Sequence, residues 1–188
     1  MSELKLCLYC VNDKYVEYLR ECVSEKVLSN VGANYSVSRK YLGVVLKIET
    51  YDYYVPLSSP KNVDYFQNEG GKKVIRKSIV PIIRIIETSF DGRKSLLGTL
   101  KFSSMIPVPP DEISLYDVNS ETDIKYKNLI MKELRFIRRN TEQIIKNASL
   151  IYKQKKLNLN INYLNSTVNF ELLEIAHDNY LKKLTPHL

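Results

Sequence analysis

Residues 41–57 read YLGVVLKIETYDYYVPL, and this stretch decides the fold class. Tyr41–Glu49 and Tyr53–Leu57 are rich in Val, Leu and Tyr, which favour strands, and a tight turn around Thr50-Tyr51-Asp52 joins them. Two strands with so short a connection run antiparallel. The stretch therefore predicts a β-hairpin in an antiparallel sheet.

Further strands are predicted on both sides of this hairpin. Asp91-Gly92 is the strongest hairpin signal in the chain, with Ile79–Phe90 before it and Ser95–Phe102 after it. Leu4–Cys10 predicts a short first strand, and Ile113–Val118 predicts a last edge strand.

Helices are predicted mainly after the strands. One begins at Asn12 or Asp13 and runs to about Leu28, and another covers Phe170 to Lys183. Asp123 to about Lys156 predicts a single long helix, because its apolar residues recur every three or four positions. This order predicts an α+β fold: one domain, residues 1–188, with a strongly twisted antiparallel sheet or partial barrel flanked by helices.

Positive charge is concentrated in the predicted long helix. The formal net charge is +7, and residues 125–156 hold ten Lys or Arg against Glu133 and Glu142, so the rest of the chain is nearly neutral. This distribution favours a nucleic-acid partner over an acidic membrane surface. A cationic stripe is predicted opposite the apolar face of that helix, formed by Lys132, Arg139, Lys146 and Lys153, each seven apart, with Arg135 alongside.

The chain shows no sign of export, metal binding or histidine chemistry. Three cysteines and the absence of a signal peptide or membrane helix predict a cytoplasmic protein without disulfides. Cys7 and Cys10 have ligand spacing but read as strand residues. His177 and His187 lie near the C-terminus, where we expect His177 to be solvated and His187 to fray.

Acidic residues give no metal site either. Asp52, Asp64, Glu69 and Asp111-Glu112 lie scattered in predicted loops, and we expect them to be solvated. No glycine-rich phosphate loop is present. The sequence therefore predicts no metal and no cofactor.

The segment Ser58-Ser59-Pro60-Lys61 admits two interpretations. Ser59 before a proline is typical of a helix N-cap. Alternatively, free helix N–H groups, two hydroxyls and a lysine make a phosphate site, to which Tyr35 and Arg39 would add a phenol and a second cation.

This segment also carries a family resemblance. Tyr53–Lys61, preceded by Tyr41–Leu46, resembles the ToxN/AbiQ family of type III toxin–antitoxin endoribonucleases. Further blocks agree in the family's order and extend the resemblance over nearly the whole chain: Leu100–Phe102, Met105–Pro107, Ile113–Asp117, Tyr126-Lys127, Leu134–Arg138 and Asn169–Leu173.

The resemblance implies a sheet and helices related to the MazF/Kid toxin fold and a metal-independent ribonuclease that leaves 2′,3′-cyclic phosphate ends. Its implied substrate is cellular or phage mRNA and not DNA, and the expected outcomes are growth inhibition and phage defence. The implied inhibitor is an RNA antitoxin, a pseudoknot cut by the toxin from a repeated precursor and bound in a closed protein–RNA assembly. The alternatives are a non-catalytic RNA-binding protein and a metal-dependent nuclease.

The resemblance also assigns site residues. Ser59 corresponds to the family's essential serine, Ser58 to a position where Thr is familiar, Lys61 to the lysine after proline, and Tyr35 to a tyrosine near the site. Arg39 stands where a lysine is expected, and an arginine cannot act as a general base. Lys40 is the alternative for that role. The substrate 2′-OH would attack, with Lys61 and Arg39 stabilising the phosphorane, and Lys61 or Tyr35 would protonate the leaving oxygen.

Overall fold

The computed structural model describes residues 6–30 and 38–184. In this part of the chain the strands are β1 Cys7–Val11, β2 Lys40–Ile48, β3 Tyr51–Ser58, β4 Tyr65–Gln67, β5 Lys73–Ile75, β6 Ile82–Thr88, β7 Lys94–Lys101, β8 Ile106–Pro107 and β9 Ile113–Leu115. The main sheet has the strand order β6-β7-β3-β2-β1-β9, with β8 paired to β3, and every pairing is antiparallel. The α+β prediction with an antiparallel sheet is confirmed. The helices are α1 Asp13–Cys22, α2 Ile124–Arg139, α3 Thr141–Lys156 and α4 Phe170–Leu184.

Both predicted hairpins are present, with one turn displaced. β2 and β3 pair as far as Ile48 and Tyr51, so the connection is Glu49-Thr50, earlier than predicted. The β6–β7 turn lies at Asp91-Gly92 as predicted, and Gly92 has a φ of 82°, a conformation that favours glycine. The predicted edge strand is β9, which pairs with β1 at one end of the sheet.

The prediction of one long helix is wrong. The segment forms two helices, α2 and α3, which meet at Asn140. Asn140 has φ −122° and ψ 20°, and its side-chain amide donates to the Phe136 carbonyl at 2.7 Å. Such a side-chain bond competes with the helical backbone ladder. Ile137 and Ile144 are fully buried on either side of the break, which explains why the apolar spacing predicted one continuous stripe. Helix α1 is also shorter than predicted, ending at Cys22.

A buried carboxylate joins the sheet to two helices. Glu174 on α4 accepts hydrogen bonds from the Tyr53 hydroxyl of β3, at 2.8 Å, and the Tyr152 hydroxyl of α3, at 2.7 Å. The same helix buries His177, which is 4% exposed and packs edge-on against the Tyr51 ring with 5.2 Å between centroids. The prediction that His177 is solvated is wrong, because α4 turns this face toward the start of β3.

Cys7 and Cys10 occupy the positions expected of strand residues. Cys7 pairs with Gly43 and Cys10 with Lys40 across the β1–β2 ladder. Residues three apart in a strand face opposite sides of the sheet, so the two thiols do not share a face. In the described part of the chain, no helix is long and apolar enough to cross a bilayer.

Helix α2 covers the β6–β7 end of the sheet and buries an acid there. Glu133 is 5% exposed, and a Cβ at Gly98 of β7 would collide with its Oε1. The same Cβ would come within 3.2 Å of the Ser58 carbonyl oxygen. Burial raises the pKa of Glu133 to about 7. Only a glycine at position 98 lets α2, β7 and the end of β3 approach so closely.

Replacing Glu133 by Gln should flatten the pH dependence of stability. The pKa of Glu133 is higher in the folded chain than its usual 4.5, so the folded state holds a proton that the unfolded state releases. Stability from this group is therefore present below about pH 4.5 and is lost as pH rises toward 7. Between pH 5 and 8 the loss is roughly 2–3 kcal/mol.

Urea unfolding at these two pH values would measure the effect. In Glu133→Gln the free energy of unfolding should lack the fall between pH 5 and pH 8, whereas the exposed control Glu69→Gln should retain that fall. An equal pH dependence in Glu133→Gln and the unmodified chain would contradict the assignment.

Candidate active site

The end of β3 brings two predicted site residues together. The Arg39 guanidinium donates through Nη1 to the Ser58 hydroxyl and to the Leu57 carbonyl, both at 2.7 Å. Its Nε donates to the Ser29 carbonyl at 3.1 Å, which fixes the group from a second direction. Ser58 is itself 6% exposed and pairs with Thr99 of β7. The structure therefore brings Arg39 and the serine motif into contact.

Ser59 does not cap a helix. A 3₁₀ turn over Asn62–Asp64 begins only after Lys61, with Lys61 itself at the cap position. The Lys61 amide donates to Asp64 Oδ2 at 2.9 Å, and the Asp64 amide donates to the Lys61 carbonyl at 2.9 Å. The N-cap interpretation of Ser59 is therefore wrong, and both Ser59 and Lys61 are exposed to solvent.

Asp64 is buried in an ion pair. Its Oδ1 lies 3.0 Å from Nη2 of Arg84 on β6, with the two side chains 3% and 6% exposed. Arg84 also donates through Nη1 to the Lys77 carbonyl at 2.7 Å. The prediction that Asp64 is solvated is wrong, because the loop after β3 folds back onto the open face of β6. This pair anchors the turn that carries Lys61.

Sequence reasoning missed a third cation at this site. Lys101 ends β7 and lies on the same face of the strand as Thr99, which is the cross-strand partner of Ser58. Burial lowers the pKa of Lys101, and the positive charges of Lys61 and Arg39 lower it further. A lone lysine between Leu100 and Phe102, inside an apolar strand, was the available signal.

Tyr35 and Lys40 are the two remaining candidates for the predicted site. Tyr35 lies outside the residues that the structure describes. Lys40 is 6% exposed, donates to the Ser38 carbonyl at 3.1 Å, and has its Nζ 4.5 Å from the centre of the Tyr116 ring. These contacts hold Lys40 toward the β1–β9 side of the sheet, whereas the neighbouring Arg39 contacts the serine motif.

The predicted cationic stripe is divided between two helices. Lys132, Arg135 and Arg139 are exposed on α2, whereas Lys146 and Lys153 are exposed on α3. Lys132 pairs with Glu87 of β6 at 2.8 Å. The prediction of a single cationic stripe along one helix is therefore wrong, although all five of its Lys and Arg side chains are exposed.

Comparison with known proteins identifies the family of this fold and site. A family model of the toxin ToxN, of type III toxin–antitoxin systems, matches residues 7–178. The chain belongs to this family. Its ToxN-family relatives include the endoribonuclease ToxN of Pectobacterium atrosepticum, 29% identical over 179 residues that are 93% of this chain and 94% of the relative.

Two further similarities support the ToxN assignment. The endoribonuclease AbiQ of Lactococcus lactis subsp. lactis is 30% identical over 182 residues, 97% of this chain and 93% of the relative. A solved structure of a bacterial antiviral system regulated by a processed non-coding RNA superposes with a TM-score of 0.76 and is 26% identical in sequence. The match covers 92% of this chain and 98% of the other chain.

Removing the charge of Asp64 should destabilise the protein and loosen the Lys61 turn. Asp64→Asn leaves Arg84 buried without its partner, which costs about 3–5 kcal/mol of unfolding free energy. As a control, Glu87→Gln breaks the exposed ion pair of Lys132 and Glu87, and it should cost under about 1 kcal/mol of unfolding free energy.

A double variant separates stability from position. Asp64→Leu combined with Arg84→Met should recover most of the unfolding free energy, because an apolar pair of similar size replaces a buried ion pair well. The Lys61 amide should still exchange its hydrogen faster than in the unmodified chain, because its acceptor is gone. Unchanged protection of that amide would show that Asp64 does not hold the turn.

Proposed function

We propose that this ToxN-family protein is a single-domain endoribonuclease toxin that cuts single-stranded or loop RNA at the end of β3. One observation carries the proposal: the Arg39 guanidinium donates to Ser58 at the end of β3, and the positive charges of Arg39 and Lys61 both reach Lys101 of β7 and lower its pKa. Like charges held together repel, so the cluster favours an anionic ligand. The relatives that cover most of the chain are endoribonucleases, which supports an RNA phosphodiester as that ligand.

The proposed reaction is a transesterification. The substrate 2′-OH loses its proton to a polar group near Ser59, and its oxygen attacks the adjacent phosphorus. The 2′-oxygen–phosphorus bond forms, and the bond from phosphorus to the 5′-oxygen breaks as the 5′-oxygen takes up a proton. The products are a 2′,3′-cyclic phosphate and a 5′-hydroxyl. Arg39 and Lys61 stabilise the charge that develops on the phosphorane, and fixed cations at such a position contribute several kcal/mol. Ser59 orients the 2′-OH or the phosphate, and Ser58 holds Arg39.

Lys101 is proposed as the acid that protonates the leaving 5′-oxygen. A lysine whose pKa is lowered gives up its proton more readily than a free lysine. Arginine cannot serve, because it stays protonated. Tyr35 remains a proposed member of the site, where its phenol would act as a second acid or as a ligand to the phosphate.

The proposed control is an RNA antitoxin that occupies the same site. The processed non-coding RNA that regulates the structural relative is the model for this partner, and a pseudoknot in a closed assembly is its expected form. The exposed cations of α2 and α3 provide phosphate contacts for that RNA: Lys132, Arg135, Arg139, Lys146 and Lys153. We propose a cytoplasmic protein that acts on cellular or phage mRNA and serves in antiviral defence.

Ser59→Ala is the experiment that tests the proposed site. Ser59 caps no helix, so the substitution should change the free energy of unfolding by less than about 0.5 kcal/mol. Cleavage of a labelled RNA should fall by about 100-fold or more. Ser95→Ala, an exposed serine elsewhere on the sheet, should cleave normally. Normal cleavage by folded Ser59→Ala would place the active site elsewhere.

Metal removal and substrate chemistry test the proposed reaction. Cleavage should survive excess EDTA and end in a cyclic phosphate, because the charge is neutralised by side chains and the nucleophile belongs to the RNA. RNA carrying a 2′-O-methyl group at the cut, and DNA of the same sequence, should remain intact. A 5′-phosphate product that requires magnesium would contradict the mechanism, and binding without any cleavage would indicate a non-catalytic RNA-binding protein.

A further inference from the structure

A small hairpin stands outside the main sheet. β4 and β5 pair through Tyr65–Ile75, Phe66–Val74 and Gln67–Lys73. Asn68 closes the connection, because its side-chain oxygen accepts from the Lys72 amide at 2.9 Å and its own amide donates to the Lys72 carbonyl at 3.0 Å. This hairpin and its continuation to Lys77, residues 65–77, are called the β4–β5 arm below.

The β4–β5 arm begins directly at the candidate active site. The Arg76 amide donates to the Asp64 carbonyl at 2.9 Å, and Arg76 Nε donates to the Val63 and Tyr65 carbonyls, each at 3.1 Å. Asp64 is the residue that also holds the Lys61 amide. Phe66 lies five residues after Lys61, so the two are at most about 18 Å apart along the chain.

The arm exposes aromatic and cationic groups together. Phe66 is 42% exposed, and the Arg76 guanidinium lies 5.7 Å from the centre of its ring. Lys73 Nζ lies 4.2 Å from the centre of the Tyr65 ring. Residues 65–77 contain four Lys or Arg and one acid, Glu69. The net charge of the exposed surface is therefore strongly positive.

This composition fits one class of partner better than another. An isolated two-stranded hairpin is marginally stable, and an exposed phenylalanine on it adds unfavourable contact with water. Interfaces between proteins are depleted in lysine, and this arm carries Lys72, Lys73 and Lys77. Aromatic rings on which bases stack, set among cations that contact phosphates, are the pattern of single-strand nucleic-acid binding.

We propose that the β4–β5 arm binds the single-stranded RNA that flanks the scissile phosphate. A base stacks on the exposed face of Phe66, and Lys72 and Lys77 contact the backbone phosphates. That the bound RNA flanks the scissile phosphate rests on the proposed function. Binding of RNA by the arm does not require that the RNA is cut. The arm therefore lengthens the substrate site beyond the reacting nucleotides.

Binding to an RNA that cannot be cut tests this proposal. The probe is a fluorescent single-stranded RNA of about a dozen nucleotides with 2′-O-methyl groups throughout. Phe66→Leu keeps an apolar side chain but removes the ring, and it should weaken binding by roughly 5- to 150-fold, the usual range when one base no longer stacks. Phe66→Tyr should bind as the unmodified chain does. Phe90→Leu, at the fully exposed turn between β6 and β7, should also leave binding unchanged.

Salt dependence gives a second, independent measurement. Lys72→Gln combined with Lys77→Gln should reduce the slope of log binding constant against log salt by about 0.7 for each RNA phosphate that the variant no longer neutralises. Both side chains are exposed, so the variant should keep its unfolding free energy.

Each result decides the proposal without relying on catalysis. Unchanged RNA affinity and salt slope in these variants, or self-association of the chain through the arm, would overturn it. Loss of cleavage in Ser59→Ala is a separate measurement, so the arm can fail while the proposed active site stands. Equally, the arm can bind RNA while Ser59 proves dispensable.

Discussion

The carboxylate of Asp64 is the interaction on which the candidate site depends. One oxygen pairs with Arg84 of β6, the other accepts from the Lys61 amide, and the backbone carbonyl accepts from the Arg76 amide. The sheet, the cation-bearing turn and the β4–β5 arm therefore meet at one residue. A buried ion pair is weak support for stability but strongly penalises any rearrangement that separates its charges. Its effect here is to fix the position of the Lys61 backbone relative to β6.

The site lies where β3 leaves the sheet because the strand serves two purposes along its length. From Tyr53 to Ser58 the strand is buried, and near its start the Tyr53 hydroxyl donates to Glu174 of α4. Its last residue, Ser58, lies between β7 and the Arg39 guanidinium. Gly98 leaves room for Glu133 behind this end of the strand, so α2 packs against the sheet on the face opposite Lys101. Rigid elements on several sides give the preorganisation that charge stabilisation requires.

The distribution of charge follows from the break at Asn140 and from the arm. A single long helix would have presented one straight cationic stripe, whereas α2 and α3 carry their cations on separate helices. The arm adds another basic region beside the site. Contacts spread over several surfaces suit a folded RNA with a shape of its own, because the backbone phosphates of such an RNA lie in more than one direction.

The sequence by itself determined most strands of the main sheet, the Asp91-Gly92 turn and the family, and it predicted Arg39 beside the serine–lysine motif. These features depend on local periodicity, turn chemistry and motif order, all of which are written along the chain. Only the tertiary structure decided that Asp64 is buried with Arg84, that His177 is buried, that Lys101 joins Arg39 and Lys61, and that the long helix breaks. Periodicity reports which face is buried but not what covers it, and the spacing of Ile137 and Ile144 is the same in one helix or in two. Asp64 and Arg84 lie twenty residues apart, and only the folding of the β3–β6 connection onto the sheet brings their charges together.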